Sequence, residues 1–342
     1  MNNKLKKIAE QMVAPGKGIL AADESTPTIG KHFDKIGLEN TKPNRQAYRE
    51  MLFSTSGIGQ YISGVIMYDE TIRQSTASGN GFVSVLQNEG VLPGIKVDEG
   101  TAPDPNSPNE KITKGLNGLP ERLKEYASLG AKFTKWRAVI TIDENQNLPT
   151  DENLRRNAQD LAQYAKFVQE AGLVPIVEPE VLMDGKYSTH SIEKCAEVTE
   201  KTLNYLFEEL KNAEVETEGI ILKPNMIVPG ENSGQKVSPD EIAQATITLF
   251  RKILPENLPG IVFLSGGQSE IEATENLNAM NKMGELPWRL SFSYGRALQD
   301  SALKIWNGKQ ENVPAAQAKF LHRAKMNSLA TFGKYSPDLE NA

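Results

Sequence analysis

The sequence predicts an α/β fold, a single-domain (β/α)8 barrel of the TIM type, from two observations. Short runs of β-branched and apolar residues alternate along the chain with longer segments of helical periodicity. There are eight such runs, and eight parallel strands close a barrel of this type. We therefore predict one domain over residues 1–342, with a helix before the barrel and a short tail after it. The predicted strands cover residues 18–22, 61–68, 92–97, 133–140, 174–181, 219–226, 260–267 and 289–295.

Three of the segments between these runs have clear features of helices. Residues 151–171 and 190–211 repeat apolar side chains at three- and four-residue spacing, which predicts amphipathic helices. The apolar stripe of the second segment includes Cys195, which we place in the core. The sequence SPDE at residues 238–241 offers an N-cap, a proline in the first turn and a glutamate three residues after the cap. This pattern predicts a helix over residues 239–254.

Several other features predict loops or argue against common sites. Residues 100–118 have three prolines within their first nine positions, and we expect a surface loop there. The sequence GKGILA at residues 16–21 fits a dinucleotide-binding pattern, but it leads from a helical segment into a strand, the reverse of the order that this motif needs. His32, His190 and His322 have no second ligand at zinc spacing, so no metal site is predicted.

Composition restricts the partners and the compartment. The chain has 38 Lys and Arg against 44 Asp and Glu, a formal net charge of −6, so nucleic acid and anionic membranes are not expected partners. A single cysteine and the absence of an Asn-x-Ser/Thr sequence give no sign of secretion. The first residues lack an apolar signal stretch, and no run approaches about 18 apolar residues. We expect a cytoplasmic, soluble protein.

Charged residues stand where the predicted strands end, and a barrel of this type has its active site at the C-terminal ends of its strands. Because side chains alternate along a strand, Lys135 and Arg137 share one face, as do Glu178 and Glu180. The same alternation puts Ile221, Lys223 and Asn225 on one face. If these faces point inward, charges of both signs meet in the barrel and must pair, because charges are rarely buried alone. For any one of these residues alone, the simpler interpretation is a charged side chain that lies at a strand end and reaches water. Further members of the set are Asp23, Lys96 and Lys223.

Lys223 has the most apolar neighbours of any lysine in the chain. It follows the run IIL at residues 220–222 and precedes Pro224. Burial beside other cations favours a neutral amine, which can attack a ketone and form a Schiff base. Glu178 is then the natural proton donor and acceptor for the dehydration, and Asp23 a second carboxylate for a different proton. The alternative is a structural ion pair inside the barrel.

Two glycine-rich strand ends favour a phosphate site. The sequence SGG at residues 265–267 precedes a predicted helix start at residues 268–270, and SYGR at residues 293–296 precedes the helical sequence ALQDSALKIW. Free N–H groups at helix N-termini bind anions, and the loops after the last two strands of such barrels are a frequent phosphate site. Two tight glycine turns are the alternative. The candidate residues are Ser265, Gly266, Gly267, Ser293, Gly295 and Arg296.

Seven segments that cover about residues 20–335 resemble the class I, Schiff-base fructose-bisphosphate aldolases: ILAADEST, IKVD, KWRAVI, PIVEPE, LKPNM, LSGGQSE and FSYGRALQ. The resemblance implies a (β/α)8 barrel and a usually tetrameric enzyme of glycolysis and gluconeogenesis that needs no metal and no other cofactor. It also implies the reversible cleavage of fructose 1,6-bisphosphate to dihydroxyacetone phosphate and glyceraldehyde 3-phosphate. The expected partners are thus a phosphorylated ketose, triose phosphates and further copies of the chain.

The resemblance implies a role for each matched residue. Lys223 matches the Schiff-base lysine, Glu178 the general acid/base of carbinolamine dehydration, and Asp23 the carboxylate that handles the C4 hydroxyl proton. The charged neighbours that tune the site are matched by Lys135, Arg137 and Glu180. The C1-phosphate pocket is matched by Ser265, Gly266, Ser293, Gly295 and Arg296, the C6-phosphate contacts by Ser25, Thr28 and Lys96, and a further substrate-binding position by Arg45.

The chain departs from the family pattern in two places. The family usually has a Lys-Arg pair after ADEST, where this chain has Lys31 and His32, so we expect a weaker hold on the C6 phosphate. Animal members end in a mobile tail whose terminal tyrosine assists proton exchange on the enamine, whereas this sequence ends in SPDLENA at residues 336–342. We expect that step to use another group or to be slow.

Other interpretations stay open at this point. One is another Schiff-base lyase or a transaldolase-like enzyme on phosphorylated sugars; the paired phosphate loops argue against 2-keto acid substrates. A second is a metal-dependent aldolase. A third is a scaffold that kept the fold for binding a protein, although a scaffold need not keep the complete set of charged residues. The number of subunits and the preference between fructose 1,6-bisphosphate and fructose 1-phosphate are also open.

Overall fold

Eight parallel strands close into one barrel in the computed structural model, which describes residues 2–185 and 188–341. The strands in chain order are β1 (Gly18–Ala22), β2 (Ile62–Met67), β3 (Leu92–Lys96), β4 (Thr101–Pro103), β5 (Lys111–Thr113), β6 (Phe133–Ile140), β7 (Val174–Val181), β8 (Ile221–Leu222), β9 (Gly260–Phe263) and β10 (Arg289–Tyr294). Around the barrel the order is β1-β10-β9-β8-β7-β6-β3-β2, while β4 and β5 form a separate two-stranded sheet. The predicted (β/α)8 barrel is confirmed.

Helices connect the strands and surround them. They are α1 (Asn2–Met12), α2 (Thr26–Asp34), α3 (Lys42–Phe53), α4 (Asp69–Ile72), α5 (Phe82–Asn88), α6 (Leu119–Ser128), α7 (Asp151–Glu170), α8 (Ile192–Asn212), α9 (Pro239–Ile253), α10 (Glu270–Asn281), α11 (Arg296–Trp306) and α12 (Val313–Ala330). The three helices predicted from periodicity and capping are α7, α8 and α9, and α9 begins with the expected capping box of Ser238 and Glu241. None of the helices in the described part of the chain combines the length and apolarity needed to cross a bilayer.

Helix α1 packs against the apolar end of the barrel interior, which lies away from the C-terminal ends of the strands. The apolar side chains of α1 and of the segment that follows it form one buried cluster with inward-facing strand residues, among them Phe133, Ile176 and Ile221. Because inward positions recur every second residue, the next inward positions on these strands are Lys135, Glu178 and Lys223. The barrel interior is therefore apolar at the end near α1 and charged at the C-terminal ends of the strands. Helix α1 contributes Leu5, Ala9 and Met12 to this cluster, and Val13, which follows the helix, also belongs to it.

The outward faces of the strands pack on the helices. Trp136 is fully buried and its ring stacks on Tyr164 of α7, with 5.5 Å between the ring centroids. Trp288 and Trp306 are also buried. Cys195 is fully buried in the main core cluster, in agreement with its predicted position on the apolar stripe of α8.

The structure corrects three local predictions. Strands β8 and β9 are shorter than predicted, and Pro224, which has no N–H to donate, follows β8 closely. Asn225 does not share the inward face of Lys223, because its side chain accepts a hydrogen bond from the Val181 N–H and donates one to Thr199 Oγ1. The predicted irregular loop at residues 100–118 contains the β4–β5 hairpin.

Candidate active site

A cavity of about 900 Å³ opens at the C-terminal ends of the strands, and residues at the ends of all eight barrel strands line it. This is the face where the sequence predicts the site. The predicted site residues that line the cavity are Asp23, Ser25, Thr28, Lys96, Lys135, Arg137, Glu178, Glu180, Lys223, Ser265, Gly266, Ser293, Gly295 and Arg296. Barrel closure therefore brings together side chains that are up to 273 positions apart in the sequence.

Four charged side chains form an unbroken series of ion pairs on the cavity floor. Lys135 Nζ lies 2.8 Å from Asp23 Oδ2 and 3.1 Å from Glu178 Oε2, and Lys223 Nζ lies 3.0 Å from Glu178 Oε1. All four side chains are buried, with Asp23 the most exposed at 11%. Two carboxylates alternate with two amines, so each buried carboxylate contacts at least one lysine amine.

The surroundings of the two acids hold them ionised. Burial opposes the charge on Asp23, but the nearby charges of Lys135 and Lys223 outweigh burial and lower its pKa to about 2. Burial also opposes the charge on Glu178, and the same two lysines again prevail and lower its pKa. For Lys135, burial favours the neutral form, but Asp23 and Glu178 outweigh it and raise its pKa. Glu178 is therefore a carboxylate beside the Lys223 amine, placed to accept a proton; the predicted neutral Lys223 stays a prediction.

Acid is expected to destabilise this protein more steeply than an Asp23→Asn variant. Because the folded-state pKa of Asp23 lies below its usual value of about 3.9, the unfolded chain takes up this proton first, and about 2 kcal/mol of stability that is present above about pH 4 is lost as the pH falls toward 2. Denaturant midpoints measured from pH 5 to pH 2 test this. Parallel pH profiles for the two proteins would show that Asp23 is not ionised more readily in the folded state.

A second ion pair lies above the first four charges. Arg137 Nε donates to Glu180 Oε2, and Glu180 is buried while Arg137 is partly exposed. Gly266 approaches this pair closely, since a Cβ added to it would lie 3.2 Å from Glu180 Oε1. A glycine at position 266 thus lets the loop after β9 sit directly against Glu180.

The two glycine-rich loops lie side by side, since β9 and β10 are neighbours in the barrel. Ser293 is 1% exposed and its Oγ has no hydrogen-bond partner within the described residues. Gly295 caps the N-terminus of α11, so first-turn N–H groups of this helix lie beside the loop. Helix α10 begins with a capping box, in which the side chains of Ser269 and Glu272 each accept a hydrogen bond from the other residue's backbone N–H. The candidate anion-binding groups at this end of the barrel are the two loops and the helix starts that follow them.

Lys96 and, separately, the pair Ser25 and Thr28 are further polar side chains on the cavity wall. Lys96 Nζ lies 2.5 Å from Asp98 Oδ1, and the Ser25 and Thr28 hydroxyls are 3.0 Å apart. Strand β3, which carries Lys96, is four places from β9 in the closed ring of eight strands. Lys96 and the loop after β9 therefore face each other across the barrel.

Two predicted residues do not line the cavity. Arg45 donates to both carboxylate oxygens of Glu70, at 2.8 and 2.6 Å, and to Asn40. Gly267 turns the loop after β9 with a φ of +71°, a left-handed conformation that favours glycine. Their predicted substrate contacts stay predictions.

The cavity also includes residues that the sequence analysis missed. Asp98 is buried beside Lys96, and two exposed or half-buried cations, Arg73 and Arg122, lie on the same wall. Alternation along strands could not reveal them, because all three lie outside the barrel strands. His32 lines the cavity too, and burial lowers its pKa. Within residues 2–185 and 188–341, no group of three or more His, Cys, Asp or Glu side chains could hold a metal ion.

Comparisons with known proteins cover nearly the whole chain. Residues 4–342 match the family model described as fructose-bisphosphate aldolase class-I. The chain is 55% identical over 327 residues to fructose-bisphosphate aldolase 4, cytosolic, from Arabidopsis thaliana, which covers 95% of this chain and 82% of that one. It is 52% identical to the fructose-bisphosphate aldolase of Dictyostelium discoideum, covering 96% and 91%.

A solved structure is equally similar. It is the fructose-bisphosphate aldolase of Plasmodium falciparum in complex with TRAP and a small-molecule inhibitor. The two chains agree with a TM-score of 0.96 at 50% identity, over 98% of this chain and 96% of that one. The structural similarity thus covers nearly the whole of both chains.

Proposed function

The chain belongs to the class I fructose-bisphosphate aldolase family, and from this premise we propose which of its residues perform each step of the cleavage. It is a lyase that reversibly cleaves fructose 1,6-bisphosphate to dihydroxyacetone phosphate and glyceraldehyde 3-phosphate. The observation that carries the proposal is the buried series of contacts from Asp23 through Lys135 and Glu178 to Lys223. It supplies one amine, two carboxylates and a fixed cation where the substrate enters.

The first step forms the Schiff base. The unprotonated Lys223 amine attacks the C2 carbonyl carbon of the substrate, and the C2 oxygen takes up a proton from solvent to become the carbinolamine hydroxyl. The excess proton on the nitrogen passes to Glu178 Oε1, 3.0 Å away. Glu178 then returns that proton to the C2 hydroxyl of the carbinolamine. Water leaves, and a positively charged imine remains on Lys223. The charge of Lys135, 3.1 Å from Glu178, lowers the pKa of Glu178 and keeps it ionised in the resting site, so its carboxylate is free to accept the first proton.

The second step breaks the C3–C4 bond. Asp23 takes the proton of the C4 hydroxyl, and the electrons of the C3–C4 bond move into the imine, which becomes a neutral enamine. Glyceraldehyde 3-phosphate leaves as the aldehyde. Lys135, protonated and 2.8 Å from Asp23, keeps that carboxylate ionised before the step and fixes its position. After C3 is protonated, hydrolysis of the imine releases dihydroxyacetone phosphate and restores the Lys223 amine.

The phosphate groups position the substrate across this cluster. We assign the C1 phosphate to the loops after β9 and β10, and the C6 phosphate to Lys96 at the end of β3 together with the segment that follows β1. The position of β3 and β9 on opposite sides of the barrel supports this assignment, because an extended bisphosphate would then pass over Lys223. The proposed C1 contacts are Ser265, Gly266, Ser293, Gly295 and Arg296, and the proposed C6 contacts are Ser25, Thr28 and Lys96, all of which line the cavity. Gly267 as a C1 contact and Arg45 as a further substrate contact are proposed from the family resemblance alone.

Replacing Lys96 by alanine is expected to weaken the binding of fructose 1,6-bisphosphate more than the binding of fructose 1-phosphate. A charge-assisted hydrogen bond to the C6 phosphate accounts for about a ten- to hundredfold rise in KM for the bisphosphate, whereas the monophosphate lacks this group. Steady-state cleavage of both substrates by the variant measures the difference. An equal change in KM for both substrates would remove Lys96 from the C6 site.

Cleavage is expected to continue unchanged in excess EDTA. In the proposed mechanism the imine takes up the electrons of the broken bond, so no metal ion is required for that step. Assay of the parent enzyme after dialysis against EDTA, with and without added Zn²⁺, measures this. Loss of activity that returns with metal would favour a metal-dependent aldolase instead.

We also propose that residues 1–342 act as one domain, that the protein is a homotetramer and that it works in the cytoplasm, without nucleic acid or membrane partners. The tetramer is a general property of the family, and the Arabidopsis relative is named cytosolic. Light scattering coupled to size-exclusion chromatography measures the mass of the assembly and tests the tetramer. A mass near that of one chain would contradict the tetramer.

A further inference from the structure

An acidic residue stands at the edge of the proposed C1-phosphate site. Arg296, the first residue of α11, donates from Nη2 to Asp184 Oδ2 at 3.1 Å. Asp184 follows strand β7, three residues after its end. Both side chains are partly exposed, Arg296 at 45% and Asp184 at 34%. A carboxylate beside a phosphate-binding cation is unexpected, because it competes with phosphate for the same guanidinium.

The turn that carries Asp184 is held against the phosphate loop. Met183 is buried, and its side chain lies 3.4 Å from where a Cβ on Gly266 would be. The Met183 carbonyl accepts a hydrogen bond from the Glu231 N–H at 2.9 Å. Ser188 Oγ donates to the Asp184 carbonyl at 2.6 Å. The position of Asp184 beside Arg296 is thus fixed by packing and backbone contacts as well as by the ion pair.

We propose that Asp184 lowers the affinity of this enzyme for phosphate, because it pairs with Arg296 when the site is free and releases Arg296 when a phosphate group binds. The inference rests on the proposed role of Arg296 in the phosphate site. A phosphate dianion accepts bidentate hydrogen bonds from guanidinium more strongly than a carboxylate does, so it displaces Asp184. When product leaves, Asp184 recaptures the guanidinium and favours release.

The expected effect is moderate, because the pair is partly exposed to solvent. Replacing Asp184 by asparagine removes the competing charge without changing the shape of the side chain. We expect the inhibition constant of inorganic phosphate and the KM for fructose 1,6-bisphosphate each to fall about two- to fivefold, the range that an exposed ion pair supports. Asp184→Glu, which keeps the charge, is expected to remain near the parent values.

The matched control is Glu208→Gln, which makes the same carboxylate-to-amide change. Glu208 lies on α8 and pairs with Arg155 at 3.5 Å, and both are exposed to a similar degree. Since neither side chain lines the cavity, this variant is expected to leave both constants unchanged. It separates a local effect at Arg296 from a general effect of net charge on anion binding.

The deciding experiment is a double-mutant cycle on Asp184→Asn and Arg296→Ala, with inorganic phosphate as the probe. In the Arg296→Ala background, Asp184→Asn is expected to have no further effect on phosphate inhibition. If phosphate inhibits the parent competitively but Asp184→Asn changes nothing, or if its effect persists without Arg296, this inference alone is overturned. If phosphate does not compete with substrate even in the parent, the proposed phosphate site fails and the inference fails with it.

Discussion

Replacing Lys223 by alanine is expected to lower kcat by about 10⁴-fold or more, because the variant loses the nucleophile of the covalent mechanism. No other amine in the cluster can take its place: Lys135 is held between Asp23 and Glu178, and both raise its pKa. Lys223→Arg is expected to be equally inactive, since a guanidinium keeps the charge but stays protonated and forms no imine. Steady-state cleavage of fructose 1,6-bisphosphate by both variants measures the loss.

The arginine variant is the control for folding and charge balance. It leaves Glu178 beside a cation, whereas alanine leaves a buried carboxylate with Lys135 as its only close partner from the cluster. Thermal unfolding of both variants and their binding of inorganic phosphate therefore show whether the site is still assembled. Turnover within about tenfold of the parent by either folded variant would contradict the role of Lys223 as the nucleophile.

Glu178→Gln is expected to lower kcat by about 10²- to 10⁴-fold, the range of general acid/base catalysis. Glutamine cannot take the proton of the Lys223 amine or return it to the carbinolamine hydroxyl. The slow step should therefore become formation of the imine rather than cleavage of the carbon bond. Rapid-quench trapping of the imine over time measures its rate of formation directly, and this rate should fall together with kcat.

Glu180→Gln is the matched control on the same strand. It makes the same change two residues further along β7, but the carboxylate of Glu180 pairs with Arg137 instead of with Lys223. We expect a loss at least tenfold smaller than that of Glu178→Gln, and imine formation close to the parent rate. Equal losses in the two variants would assign the proton transfer to the charge of the site as a whole rather than to Glu178.

Strand alternation explains why much of the site could be predicted from the sequence. Lys135 stands two residues after Phe133, and Glu178 stands two residues after Ile176, and both apolar residues face into the barrel. Because side chains alternate along a strand, Lys135 and Glu178 also had to point into the closed barrel. The apolar run before Lys223 indicated its burial in the same way. What alternation could not supply is distance, and the contact of Glu178 with both lysines is known only from the closed barrel.

Residues on loops and helices could not be placed in this way. Asp184 and Asp98 lie beyond the strands, where no periodicity fixes the direction of a side chain. The pairing of Arg45 with Glu70 joins a helix residue to a second helix that follows β2, and nothing in the local sequence of either indicates the other. Asn225 shows the limit of alternation, since the pattern was extended past the end of β8.

The most direct test of this account is chemical trapping of the covalent intermediate. The parent enzyme is incubated with dihydroxyacetone phosphate, the imine is reduced with borohydride, and the modified peptide is identified by mass spectrometry. We predict one adduct of the reduced triose phosphate, on Lys223, and none in the Lys223→Arg variant. An adduct on Lys135 or another lysine, or the absence of any adduct under turnover conditions, would contradict a mechanism that depends on the Lys223 amine.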